Sequence, residues 1–304
     1  MTTAALPARP NAHKIMRRAT NISMKVLCGL SATIAVCALG LVLVYLVGNG
    51  LHSMSLAMLT NGPDATDSSK QGLRNAIVGT IVLISTASVL GLPIGILGGV
   101  YQIESQGRFA STIRFLTDVL NSIPSIVIGI FVYILVVLPV SAFAQSHHLN
   151  DVEGYSAFAG GVALAILMIP TVMRTTEEIL RLVPMPLREG SLALGATRWR
   201  TMVSIVLPAA RSGIITGIML ALARIAGETA PLIFTAFGNH SYSVSLFKPI
   251  DSLPWSIYIS ATQPSDPIVD AAKAHAGALI LISLIFSMSI VTRIATRNSV
   301  LEEK

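Results

Sequence analysis

Six apolar stretches, each about 20 residues or longer, recur along the chain, and no other feature limits its fold as strongly. They fall at 26–48, 74–101, 115–139, 157–175, 212–237 and 275–295. Each is long enough to cross a hydrocarbon core of roughly 30 Å as a helix. Lipid offers no partner to an unpaired backbone group, so a spanning segment must be a helix or part of a closed barrel. A barrel would read as short alternating segments; these runs are continuous, and the expected fold is all-α and integral to a membrane. Composition agrees, with 53% hydrophobic and only 12% charged residues, against roughly 25% charged in an ordinary soluble domain. Cys28 and Cys37 both lie in the first run, where they read as packing residues and not as a disulfide framework or a metal site.

The net charge of +6 is spread between the apolar runs and forms no basic groove for nucleic acid. Its placement reports topology instead. Six spans put both ends on one side. Arg108 and Arg114, then Arg174, Arg181, Arg188, Arg198, Arg200 and Arg211, then Arg293 and Arg297 share that side with the basic N-terminus. Asp64, Asp67, Asp151, Glu153, Asp251, Asp266 and Asp270 fall on the other. The positive-inside rule then places both termini in the cytoplasm. Arg9, Lys14, Arg17, Arg18 and Lys25 before the first run imitate a secretory signal, but the run is too long for one, so it reads as a retained anchor. The expected division is a basic tail (1–25), a first span with its outer loop (26–72), a transmembrane domain (73–296) and a short tail (297–304).

Glycine and proline inside spans permit close helix contact and bends. Gly91, Gly95 and Gly99, four apart, fall on one helical face; they read as a packing seam or, with Pro93, as a hinge. Asn121, Pro124 and Ser125 mark a helix break, either a plain kink or a lining of a pathway. No segment matches the glycine-rich phosphate loop of ATPases, so ATP, if used, is bound by another subunit. Zinc-type cysteine or histidine spacings and nucleophile elbows are also absent from the sequence, and no cofactor or metal is implied. His147 and His148 are adjacent and read as loop residues.

The segment 176–211 carries helical apolar spacing interrupted by Pro184 and Pro186. From Glu189 it runs Glu-Gly-Ser-Leu-Ala-Leu-Gly to Gly195, and nine residues later reads Ile-Val-Leu-Pro, ending at Pro208. A short helix of small residues can seat in a groove, Gly195 permits a turn after it, and Pro208 would restart the chain toward the membrane. This resembles the E-A-A, G, I-x-L-P loop of ATP-binding-cassette importer permeases, departing only in Gly190 and Ser191 where that pattern prefers alanine. The resemblance implies a type I importer permease fold with a cytoplasmic coupling helix docking into an ATPase, and Glu189, Ala193, Gly195 and Pro208 as coupling residues. A helix lying on anionic lipid, helped by Arg198, Trp199 and Arg200, is the other reading.

Arg224 sits in the fifth run with Glu228 one helical turn later. A charge at the bilayer centre costs about 2.5–3.5 kcal/mol on insertion scales and almost always faces a bundle interior or a wet cavity. The stretch 224–232, Arg-Ile-Ala-Gly-Glu-Thr-Ala-Pro-Leu, resembles that of the A-type permeases of bacterial phosphate-specific transport systems. Residues 92–101, 123–127 and 170–184 extend the likeness, which runs over about 73–295. It implies a permease for inorganic phosphate in a bacterial inner membrane. It also implies a related C-type permease as partner, an ATPase dimer and a periplasmic phosphate-binding protein. Arg224, Glu228, Thr229, Asn121 and Ser125 are the candidate pathway residues. A permease for sulfate, molybdate or phosphonate would share the coupling loop; a channel or secondary transporter would share the mid-membrane charges but not the loop. Arg224 and Glu228 stand as pathway residues or as a structural ion pair.

Overall fold

The computed structural model describes residues 11–63, 72–105, 107–147, 154–236, 238–239 and 243–301. Arg9, Asp64, Asp67, His148, Asp151 and Glu153, and the side chain of Arg297, lie outside the described residues. Among the described residues the elements are helices: α1 (Asn11–Ser53), α2 (Leu56–Thr60), α3 (Arg74–Glu104), α4 (Arg108–Ser122), α5 (Ser125–Ser146), α6 (Ala157–Arg181), α7 (Met185–Ala193), α8 (Arg198–Ala226), α9 (Ala230–Thr235), α10 (Leu253–Thr262) and α11 (Pro267–Leu301). Six of them, α1, α3, α5, α6, α8 and α11, are long and apolar enough to cross a membrane.

The chain divides into two compact units, one ending at Asn49 and the other beginning at Gly50. The first is most of α1, on which Leu27, Val36, Leu39, Val42 and Val44 spread around the helix, the pattern of a helix bathed in apolar solvent.

In the second unit α6 is the central helix: 67% of its apolar window is buried, against 33% or less for the other spans of this unit. Small residues make this possible. A Cβ on Gly91 would stand 2.6 Å from Met168 Cε, one on Gly95 2.8 Å from Val172 Cβ, and one on Gly99 2.7 Å from Thr176 Cβ. The three glycines therefore form a packing seam in which the backbone of α3 lies directly against α6, as small-residue helix pairs do in membranes. On another face of α6, Gly213 and Gly217 of α8 lie against Ile179 and Thr175. A core of Leu83, Ala87, Leu164, Met168, Ile225 and Leu232 fills the middle. A separate one of Val100, Leu180, Val183, Met202 and Val206 lies near the ends of α3 and α6.

Three boundaries differ from the expectation. The third span does not run over 115–139; Pro124 ends α4, which is amphipathic, and the span begins at Ser125 and reaches Ser146. The long loop 176–211 is mostly helix: α6 continues to Arg181, and α8 already starts at Arg198. Pro208 does not restart the chain, because it lies inside α8 just after a π-helical turn, Met202–Val206. That wider turn absorbs the hydrogen bond a proline cannot make. Pro139 follows a second π turn, Tyr133–Val137, in the same way. Finally, the fifth span is not continuous over 212–237 but breaks after Ala226.

Candidate functional site

The break in the fifth span creates the site. α8 stops at Ala226 with Gly227 as its cap, and Pro231 stands in the first turn of α9, so the chain between them cannot be helix interior. Arg224 lies in the last turn of α8, where a cation also meets the partial negative charge of the helix end. Glu228 lies just beyond the end, its N–H donating to Ile225 O at 3.2 Å. Irregular backbone at membrane depth is tolerated where it is buried in protein or lines a cavity.

The geometry of the pair is loose. Arg224 Nε stands 3.9 Å from Glu228 Oε1, too far for a hydrogen bond. Arg224 Nη1 donates to Thr171 Oγ1 of α6 at 3.5 Å. A guanidinium has five N–H donors; among the described residues the others find no protein acceptor within hydrogen-bonding distance, and the side chain is 48% exposed. Glu228 is more enclosed, at 19%. It borders a small open cleft together with Thr80, Ser252, Leu83 and Ile225. Thr229, half-buried, opens α9 without capping it by its side chain.

The second break, at Ile123 and Pro124, lies at the start of α5, which packs on α9: a Cβ on Gly129 would stand 2.6 Å from Pro231 Cα. Ser125, half-buried, is one turn before Gly129 on the same face, and Asn121, exposed, ends α4. Thus the structure brings the two breaks to neighbouring helices. No side-chain hydrogen bond ties Asn121 or Ser125 to Arg224 or Glu228 among the described residues.

At the far end of α6 the coupling segment is compact. Pro184 precedes α7, and Gly195, at φ +83°, closes it: Gly195 N–H donates to Leu192 O at 3.0 Å and Ala196 N–H to Ser191 O at 3.2 Å. That left-handed conformation strains any residue with a Cβ. Ser191 Oγ lies 2.9 Å from Thr201 Oγ1, joining α7 to α8. Glu189, Ala193 and Gly195 are exposed, with Leu187, Leu192, Leu194 and Trp199 exposed around them. Pro208, inside α8, stands apart from this group in the chain.

Sequence reasoning passed over a buried ionic centre. Glu177 of α6, 2% exposed, accepts from Arg114 Nε of α4 at 3.0 Å and from Arg181 Nη2 at 2.5 Å. Arg114 Nη2 also donates to Gln102 O of α3 at 3.0 Å, so one guanidinium fastens α4 to both helices. Arg188 plays a similar part for α7, pairing with Glu104 Oε1 at 3.3 Å and donating to Leu180 O at 2.9 Å. The only signal in the sequence was the presence of charged residues next to apolar runs.

Residues 91–299 match the family of binding-protein-dependent transport system inner membrane components. The class of protein is therefore a multi-pass membrane component of such a transport system. Among solved structures, an inward-facing MetNI methionine ABC transporter matches with TM-score 0.54 and 20% identity over 74% of this chain and 94% of the other. A bacterial ABC transporter that imports alginate matches with TM-score 0.50 and 16% identity over 93% and 99%; these likenesses show the type I importer permease fold. Among curated proteins, the phosphate transport system permease protein PstA of Yersinia pestis is 43% identical over 82% of this chain and 80% of its own length. That of Haemophilus influenzae is 39% identical over 91% and 94%. The chain belongs to the PstA family of these membrane components.

Proposed function

We propose that this chain is the permease subunit of an ATP-driven importer that carries inorganic phosphate across a bacterial inner membrane, with both termini in the cytoplasm. The observation that carries the reading is the half-exposed guanidinium of Arg224 at a helix break, with donors left over after its protein contacts. A charge so placed is costly against lipid, which supports a second, C-type permease closing a wet path over it. A planar donor fork suits a tetrahedral oxyanion, and the weak hold of Glu228 keeps the site from binding too tightly for conduction. Glu228 can also accept a hydrogen bond from a protonated phosphate oxygen, which sulfate lacks at neutral pH.

The exposed apolar surface around α7 supports docking of an ATPase dimer, which hydrolyses the ATP for which this sequence has no phosphate loop. A periplasmic phosphate-binding protein delivers the substrate. Membership of a binding-protein-dependent family argues against a channel or secondary transporter, and the relatives named as phosphate permeases argue against sulfate, molybdate or phosphonate. The test is labelled phosphate uptake in a strain lacking the chain, with and without its restoration. Restored uptake that excess sulfate, molybdate or phosphonate does not suppress is expected; restored uptake of one of those anions in place of phosphate would sink the reading.

A further inference from the structure

Arg188 draws together three elements, α3, α6 and α7. α7 follows α6 after Leu182, Val183 and Pro184, a short non-helical link in which Leu182 N–H donates to Ile179 O and Val183 is buried. The Arg188 side chain folds back over that link and is only 16% exposed. Its Nη2 donates to Leu180 O, which otherwise accepts a long 3.4 Å turn bond from Val183 N–H, since Pro184 has no N–H to give. Its Nη1 meets the carboxylate of Glu104, the last residue of α3. Its Nε is buried without a partner, a cost that the charged group bears only while its other bonds hold.

The two helices it grips are not independent, since the Gly91, Gly95 and Gly99 seam holds α3 and α6 backbone to side chain along their length. Midway along the pair, Arg224 donates to Thr171 of α6. A displacement of α7 can therefore pass through Arg188 into the rigid α3–α6 pair and arrive at the guanidinium in the broken fifth span. Ser191 ties α7 to α8, whereas Arg188 ties it to α3 and α6.

We propose that Arg188 is the positioning residue that makes the coupling helix and the α3–α6 pair one mechanical body, so that ATP hydrolysis by a docked subunit moves the transport helices. The inference rests on the reading of α7 as a coupling helix. Its readout is the amount of phosphate moved per ATP hydrolysed, which a residue serving only to dock the ATPase, or only to fold the chain, would not alter by itself.

The complete complex, with its ATPase and binding protein, is reconstituted in vesicles, and phosphate uptake and ATP hydrolysis are measured together. Arg188→Gln is expected to keep the ATPase bound and hydrolysing while the ratio falls about tenfold, within the usual range of coupling between sites. Arg188→Lys keeps a point charge but not the fork and falls in between. Glu104→Gln weakens one of the two contacts and gives a smaller loss. An unchanged ratio in Arg188→Gln, or a loss of uptake that tracks loss of bound ATPase, overturns the proposal. If Arg188→Gln does not accumulate, Glu104→Gln decides: a lowered ratio supports the proposal and an unchanged one overturns it. Gly195→Leu in the same vesicles tests the coupling-helix reading separately, since unchanged ATPase binding and uptake there would remove that reading whatever Arg188 does.

Discussion

At the scale of single residues, the question is whether Arg224 serves the substrate or the fold. A structural ion pair in a poorly solvated place needs short, shared hydrogen bonds to offset desolvation, and removing one partner leaves the other charge orphaned. The 3.9 Å separation from Glu228 and the 3.5 Å contact with Thr171 are weak for that purpose. Arg224→Gln is therefore expected to leave the chain assembled in the membrane while phosphate uptake falls tenfold or more, since a hydrogen bond to a charged group is worth about 1.5–3 kcal/mol. Arg224→Gln with Glu228→Gln should stay inactive. Misassembly of each single variant, with recovery in the double one, would make the pair structural. Arg224 was legible in the sequence because a charge inside an apolar run is conspicuous. Glu177 and Arg188 were not, because Arg114 and Glu104, which tie them to other helices, lie 63 and 84 positions away and only the fold brings them near.

Helices and their breaks show a different balance between sequence and structure. The apolar runs located all six long helices, since length and hydropathy suffice for that. Their ends were harder. Pro124 and Pro208 look alike in a sequence, yet the first terminates α4 and the second sits inside α8 behind a π turn, and nothing local to either residue announces the difference. The end of α7 was easier, because a glycine after a short small-residue helix is the usual residue for a left-handed cap, and Gly195 has that conformation. It also yields a controlled test of docking. Open space surrounds Gly195, so alanine and leucine at this position suffer the same backbone strain and differ in bulk alone. Gly195→Ala should keep most ATPase copurification and uptake, and Gly195→Leu should lose both by a further factor of about ten, the order of a clash costing 1–3 kcal/mol at a packed contact. Equal behaviour of the two variants would show that no partner seats there and would favour a helix resting on lipid.

For the molecule as a whole, the proposed topology rests on how charge sorts over the six spans. The arginines Arg108, Arg114, Arg181, Arg188, Arg198 and Arg200 cluster where α3 ends, α4 lies, α6 ends and α8 begins, whereas Asp251 and Asp266 lie in the segments between α9 and α11 and Asp270 in the first turn of α11. Positive charge in short loops is retained on the cytoplasmic side during insertion, whereas acidic residues have little influence, so the arginine cluster is what supports the proposed orientation. Ser111, exposed on α4, and Ser265, exposed between α10 and α11, then lie on opposite sides of the membrane. Neither side chain makes a hydrogen bond that a cysteine would forfeit; at Ser265 it is the backbone N–H that donates to Asp270 Oδ2. In a background where Cys28 and Cys37 are alanine, Ser265→Cys should react with an impermeant thiol reagent in cells with a permeabilised outer layer, and Ser111→Cys should not. Inverted membrane vesicles should exchange the two results. If Ser111→Cys were the residue labelled from outside, the arginine cluster and the coupling helix beside it would face away from cytoplasmic ATP. An ATP-driven mechanism acting through α7 would then be impossible, however well the fold matched.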